Sequence, residues 1–394
     1  MTTEEESGVN ELRSIVTLVA LSVAGVAYWN AMPFLVGGFV DHYGWSPELA
    51  GQISSVQLFA TMGMLWVAAI TVHRWNLRTT VLWAALVAVL SDFLAAWLES
   101  TTLMIVTRVV TGLAAGVILS AVYAAISRVA RPTRVYGIVM ASMSLSGLVW
   151  FLGLPALLEN SGMTGPFLSL AAVSLAALAV ALAWFPRYGR QEDIPSAQLG
   201  VLGMLTVPVL LLALGLFVQS TVAGAYWAYW ERIGVESGLG GWGIAVVLSV
   251  GAVSGMLGGA LAAWMDGKVG DAAALIGGFS IMGLGYAVAL FYTPAAYVAA
   301  TAVSYVAANV ALTFFFGLFA KVDASGRLVN AANLLFYAGG AMGPAAASFM
   351  LVQGSYSPMI LGGSLALLAS LFVIVPVLLR WAPGSPAVGL GDHA

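Results

Sequence analysis

TLMIVTRVVTGLAAGVILSAVYAAIS, residues 102–127, is an apolar run whose only charge is Arg108. A helix that crosses a bilayer needs about 20 mostly apolar residues, and this stretch is longer. A helix is also one of the few forms that satisfies its own backbone in lipid. The stretch therefore reads as a membrane span. An isolated charge at that depth is costly, so Arg108 is expected to pair or to face a shared interior.

The rest of the chain fits the same solvent. Of 394 residues, 61% are hydrophobic and 8% charged, where soluble proteins carry about 25% charged residues. A net charge of -3 gives no footing for a nucleic-acid partner. There is no cysteine, so disulfides and thiol chemistry are excluded. The histidines, His42, His73 and His393, are scattered and form no metal-ligand spacing. The acidic start, Met1 to Glu6, has the wrong sign for a signal peptide. The first apolar run is read as a mature first helix.

Cutting at charges, Pro and Gly gives spans at 14–40, 48–72, 78–98, 102–127, 134–158, 164–185, 200–230, 241–265, 271–291, 295–320, 327–353 and 357–380. The sequence thus predicts an all-α membrane protein with twelve transmembrane helices. With both termini in the cytoplasm, most of the basic residues fall on that side: Arg13, Arg74, Arg78, Arg128, Arg131, Arg134, Arg187, Arg190, Lys268, Lys321, Arg327 and Arg380. Such a bias is the positive-inside rule. The expected organisation is a tail over 1–13, a six-helix bundle over 14–186, a central loop over 187–199, a second bundle over 200–380 and a tail over 381–394.

The halves echo each other. Val23-Ala24-Gly25-Val26-Ala27-Tyr28-Trp29 in span one resembles Val222-Ala223-Gly224-Ala225-Tyr226-Trp227 in span seven. The His73-Arg74 and Asp266-Gly267-Lys268 turns, and Gly147 with Gly339, share an offset of about 192 residues. Two parallel halves with a site between them at mid-membrane is a transporter architecture.

Twelve spans, a central loop and a six-plus-six repeat resemble the major facilitator superfamily. The family's basic loop between spans two and three is met here by Arg74 and Arg78, with Ala69 and His73 in place of its Gly and Asp. The counterpart in the second half keeps Asp266. Arg108, Gly112 and Gly116 are similar to the family's span-four pattern, which is linked to proton coupling. The Gly-x-x-x-Gly-Pro motif usual in span five lies in span eleven as Gly339, Gly343 and Pro344. The resemblance implies two pseudo-symmetric bundles that rock about a central cavity, with these loops and glycines serving gating and packing.

Asp92 lies eight residues before the turn near Ser100 and Arg108 eight after it, so both sit roughly 12 Å from the turn. Antiparallel neighbours would bring them together, either as a proton- or substrate-handling pair or as a staple between helices. Polar stripes at helical spacing supply Gln57, Trp150, Gln219, Tyr226, Asn309, Asn333 and Tyr337, and Asn30 stands alone in span one. With Arg108 they are the candidate cavity lining, and interhelical hydrogen bonding is the competing use. Glu231, beside Arg232 and level with Asp41, reads as a proton port or outer gate, or as a solvated helix end. Asp92, Arg108 and Glu231 are thus the candidate coupling groups.

The expected function is secondary active transport of a small organic solute, best matched by a small organic or aromatic acid, through proton-coupled symport and alternating access. Export of amphipathic compounds and a transport-incompetent receptor or scaffold are the alternatives. No phosphate loop and no nucleophile-base-acid set is present, so an ATP motor and an enzyme are not expected. Expected partners are the solute, protons and lipid. The chain is expected to be a monomer in the plasma (inner) membrane, without metal or cofactor.

Overall fold

The computed structural model describes residues 3–126, 132–185, 206–322, 327–351 and 354–380. The central loop expected at 187–199 and the tail from 381 lie outside them, as do Arg128, Arg131 and His393.

The described chain is helical: α1 Thr3–Tyr43, α2 Pro47–Thr71, α3 Leu77–Ala95, α4 Thr101–Ile126, α5 Pro132–Ser161, α6 Thr164–Trp184, α7 Val207–Glu236, α8 Gly241–Met265, α9 Asp271–Ala287, α10 Pro294–Val322, α11 Arg327–Ser348 and α12 Ser357–Arg380. Helix α1 begins earlier than expected and runs through most of the proposed tail. No proline interrupts the chain between Thr3 and Arg13.

Turn chemistry sets the ends. Ser46 accepts from the Leu49 backbone N–H and Pro47 opens α2. Asn76 caps α3 in the same way. Helices α1 and α7 both stop at a glycine with positive φ, Gly44 at 66° and Gly238 at 84°, a conformation that a side chain would strain.

Among the described residues, ten of the helices are long and apolar enough to cross a membrane; α2 and α11 are outside that set. Side chains on the exterior are apolar, with Trp83 64% and Phe372 84% exposed. Water would penalise such a surface and lipid does not.

Packing repeats. Helix α2 packs on α4, α3 on α4 and α6, and α1 on α5 and α6. Adding six to each number gives contacts that also occur: α8 on α10, α9 on α10 and α12, and α7 on α11 and α12. Between the halves α1 meets α7, α2 meets α11 and α5 meets α8. Glycines allow the tightest of these approaches. A Cβ on Gly112 would strike the Gln57 carbonyl and lie 2.8 Å from the Ala60 Cβ, and one on Gly116 would lie 2.6 Å from the Met64 Cβ. Gly339 and Gly343 of α11 sit likewise against α7. Pro344 turns its carbonyl toward Gly51 of α2.

Candidate functional site

Three groups of side chains bear on function, each placed by the packing just described. The first is inside the first half. Arg108 of α4 donates Nη2 to Asp92 Oδ1 at 2.8 Å and Nη1 to Gln57 Oε1 at 3.1 Å. Thr111 donates to the same Asp92 oxygen at 3.3 Å. The guanidinium lies 4.8 Å from the Phe167 ring centroid and 5.5 Å from that of Tyr28, close enough for cation–π attraction. Arg108 is 0% exposed. A cavity of about 10 Å³, room for one water, adjoins the pair and is bounded by Asp92, Gln57, Thr111 and Ser174. The expected meeting of Asp92 and Arg108 occurs, but within the wall of one half, where α3 and α6 cover it.

The second group joins the halves at the end where α1 stops and α2 starts. Arg232 of α7 donates Nη1 and Nη2 to the two Asp41 oxygens at 2.7 and 2.6 Å. Its Nε reaches Glu231 Oε2 at 2.6 Å. Glu231 is buried and packed over by Gly37, where α1 crosses α7. At the same end the Tyr229 hydroxyl donates to the Pro47 carbonyl at 3.0 Å. Gln52 donates to Ser348 at 3.4 Å. Asp41 and Glu231 thus share one cation, each from a different half.

The third group lies midway along the helices. Trp227 of α7 donates its indole N–H to the Trp29 carbonyl of α1 at 2.7 Å. The two indoles are nearly parallel, 16° apart, with centroids separated by 6.4 Å. Phe151 of α5 meets Trp227 edge-on at 5.6 Å, and Tyr305 of α10 lies 6.2 Å from it. Asn30 donates to the Met143 carbonyl at 3.1 Å and to Ser146 at 3.0 Å. Asn309 donates to the Tyr305 carbonyl at 3.0 Å. Trp29, Asn30, Trp227, Tyr305, Asn309, Asn333 and Tyr337 are all half-buried despite their depth, as groups flanking an open space would be.

Other candidates are placed differently. Tyr226 turns away from the first half: its hydroxyl donates to the Ile360 carbonyl at 2.8 Å and its ring stacks on Tyr286 at 3.7 Å. Its expected place in the central lining is corrected, because helix geometry sends adjacent residues in different directions and Trp227 takes the interface. Gln219 is buried and donates to the Ala308 carbonyl at 3.0 Å, leaving Oε1 with no donor. Trp150 is buried in the apolar core. Arg78 caps the C-terminus of α6, through the Leu182 carbonyl at 2.9 Å and that of Phe185 at 3.3 Å. Arg74 and Asp266 are exposed at turns. An apolar cleft of about 380 Å³ among α8, α9 and α10 opens on the outer side of the second half.

Phe151 was not singled out by sequence, and Trp29 and Trp227 were noticed only as part of the repeat. The signal was there: the Tyr-Trp dipeptide occurs once in each echoing segment.

Comparison with known proteins agrees with this architecture. The model of the Major Facilitator Superfamily matches residues 17–344. An uncharacterised MFS-type transporter, YceJ of Bacillus subtilis (strain 168), is 26% identical over 79% of this chain and 82% of its own length. A probable chloroplastic anion transporter of Arabidopsis thaliana is 28% identical, over only 32% of this chain and 24% of its own. Among solved structures, the nucleoside transporter NupG superposes with a TM-score of 0.77 at 13% identity, over 92% of this chain and 99% of that one. The POT family transporter PepTSo gives 0.77 at 11% identity, over 93% and 98%.

This chain belongs to the Major Facilitator Superfamily. It is accordingly a multi-pass membrane transporter and not an enzyme.

Proposed function

We propose that the chain is a proton-coupled secondary transporter of a small organic solute, working by alternating access. The observation that carries this reading is the lopsided closure of the interface. The Asp41–Arg232, Tyr229–Pro47 and Gln52–Ser348 contacts gather at one end, while Trp29 and Trp227 meet midway with half-buried polar groups around them. Two rigid halves that touch at one end can rock to touch at the other, which is how such folds exchange access.

In this reading all twelve helices span the membrane, as two six-helix bundles over 14–186 and 200–380. The repeating contact pattern supports a twofold relation between them. With both termini in the cytoplasm, as the basic residues favour, the closed end faces outward and the cavity opens inward. The protein acts as a monomer in the plasma membrane. Glu231 and Asp92 are the groups proposed to handle protons, and the half-buried row from Asn30 to Tyr337 is the proposed lining.

Uptake into proteoliposomes tests the reading. A solute drawn from a broad panel should accumulate when an inward proton gradient is imposed, and an uncoupler should abolish that accumulation. A folded sample showing no flux for any solute would instead indicate a receptor or scaffold.

A further inference from the structure

The charge inventory at mid-depth constrains what the central space can hold. A carboxylate taken out of water needs a counter-charge or several strong donors. Arg108 cannot serve as it stands: it has no exposed surface, its Nη donors are taken by Asp92 and Gln57, and two rings cover it. Arg232 is tied to Glu231 and Asp41 at the closed end. The other cationic side chains described lie away from mid-depth, with Arg13 exposed on the first third of α1. Arg78 caps α6, Lys321 pairs with Asp271 at 2.8 Å and Lys268 stacks on Trp264 at 4.3 Å.

What the central space does present is aromatic and neutral. Trp29 and Phe151 come from the first half, Trp227 and Tyr305 from the second. The indoles of Trp29 and Trp227 lie against each other at 6.4 Å, leaving no room for a ring between them, and together form an aromatic patch against which a flat ring can pack. Beside them Asn30 keeps Oδ1 free of any hydrogen bond among the described residues, since only its Nδ2 is engaged. Asn309 likewise engages only Nδ2. Both amides therefore offer acceptors, which match N–H or O–H donors.

We infer that the transported solute is a neutral molecule with a flat aromatic or heteroaromatic ring carrying N–H or O–H donors, packed against the joined indoles of Trp29 and Trp227. The inference rests on the transporter reading above and replaces the organic acid anticipated from sequence. A ring that touches both indoles contacts both halves at once. A ligand shifts a conformational equilibrium only through such differential contacts, so this position couples occupancy to rocking.

The test uses the full-length protein in detergent, with melting temperature as readout and indole-3-acetamide, nicotinamide and adenosine as probes. At least one should raise the melting temperature by about 2–4 °C at millimolar concentration. For an indole-3-acetamide response, indole-3-acetate and cyclohexylacetamide should give little or none. Trp227→Phe keeps a ring and should bind weakly. Trp29→Leu should weaken binding about tenfold. An equal response to the carboxylate, an equal response to the saturated ring, or no response to any neutral aromatic probe would overturn the inference. Proton-driven uptake of an acidic solute would overturn it too, while leaving the transporter reading intact.

Discussion

Asp92 of α3 and Arg108 of α4 meet at 2.8 Å with side chains 4% and 0% exposed, so a full ion pair is enclosed within one half of the molecule. Removing one partner strands a buried charge, which costs about 3–5 kcal/mol, whereas replacing both with apolar groups is often tolerated. Asp92→Leu is therefore expected to lower the melting temperature sharply. The double variant Asp92→Leu with Arg108→Met should melt higher than Asp92→Leu alone. A double variant as unstable as the single would mean that the stranded Arg108 charge is not the cause of the destabilisation.

Arg232 lies between two carboxylates, Asp41 from the first half and Glu231 from its own. Counting charges, the closed cluster carries one excess negative charge. When the halves part and Asp41 leaves, Arg232 and Glu231 balance. Closure therefore leaves the cluster one charge short of balance, and opening restores it, which places Glu231 where charge and closure are linked. Glu231→Gln is expected to abolish gradient-driven accumulation while leaving solute exchange across the membrane. Persistence of proton-driven accumulation in that variant would move coupling elsewhere.

Asp41 is 55% exposed on its side chain, so its bond to Arg232 is screened by water. Its loss should cost no more than about 1 kcal/mol, roughly a fivefold shift toward the form open at this end. The cysteine-free sequence makes this measurable. A single cysteine at Ser348 should react about two- to fivefold faster with a membrane-impermeant maleimide when Asp41→Asn is present. An unchanged rate would show that this bond does not hold the end shut.

Glycine placement gives a packing test with an internal control. A Cβ at Gly112 runs into the backbone of α2, while one at Gly63 meets nothing within 4 Å. Gly112→Ala should destabilise by about 1–3 kcal/mol. Gly63→Ala should be neutral or stabilising, because alanine is the better helix former. Equal melting temperatures for the two variants would contradict the close α2–α4 approach.

Sidedness can be read with the same labelling chemistry. Cysteines at Glu48 and at Asp266 sit at opposite ends of the helices. In intact cells the impermeant reagent should reach the first and not the second. The reverse result would invert the orientation drawn from the basic residues.

Most of the architecture was legible because lipid imposes simple demands. The uninterrupted run around Arg108 could be little other than a span, and the equal depths of Asp92 and Arg108 followed from rise per residue. Side-chain direction was harder. Tyr226 and Trp227 are adjacent and equally aromatic, yet one bonds to Ile360 within its half and the other to Trp29 across the interface. Helical phase decides between them, and a single boundary error in phase reverses the answer. The burial of Arg108 was also beyond periodicity, since it depends on Phe167 of α6 and Tyr28 of α1 closing over it.

The paired dipeptides carry one more implication. In each half the tyrosine is moored inside its own bundle, by Ser54 in one case and Ile360 in the other, while the neighbouring tryptophan reaches for its counterpart. Like meeting like across a boundary is what the proposed twofold relation between the halves would produce. When two such bodies rock so that one end opens as the other closes, the mid-depth part of their boundary is displaced least. Under the alternating-access reading proposed above, a solute held there would keep its footing through the whole stroke while the doorway moves around it.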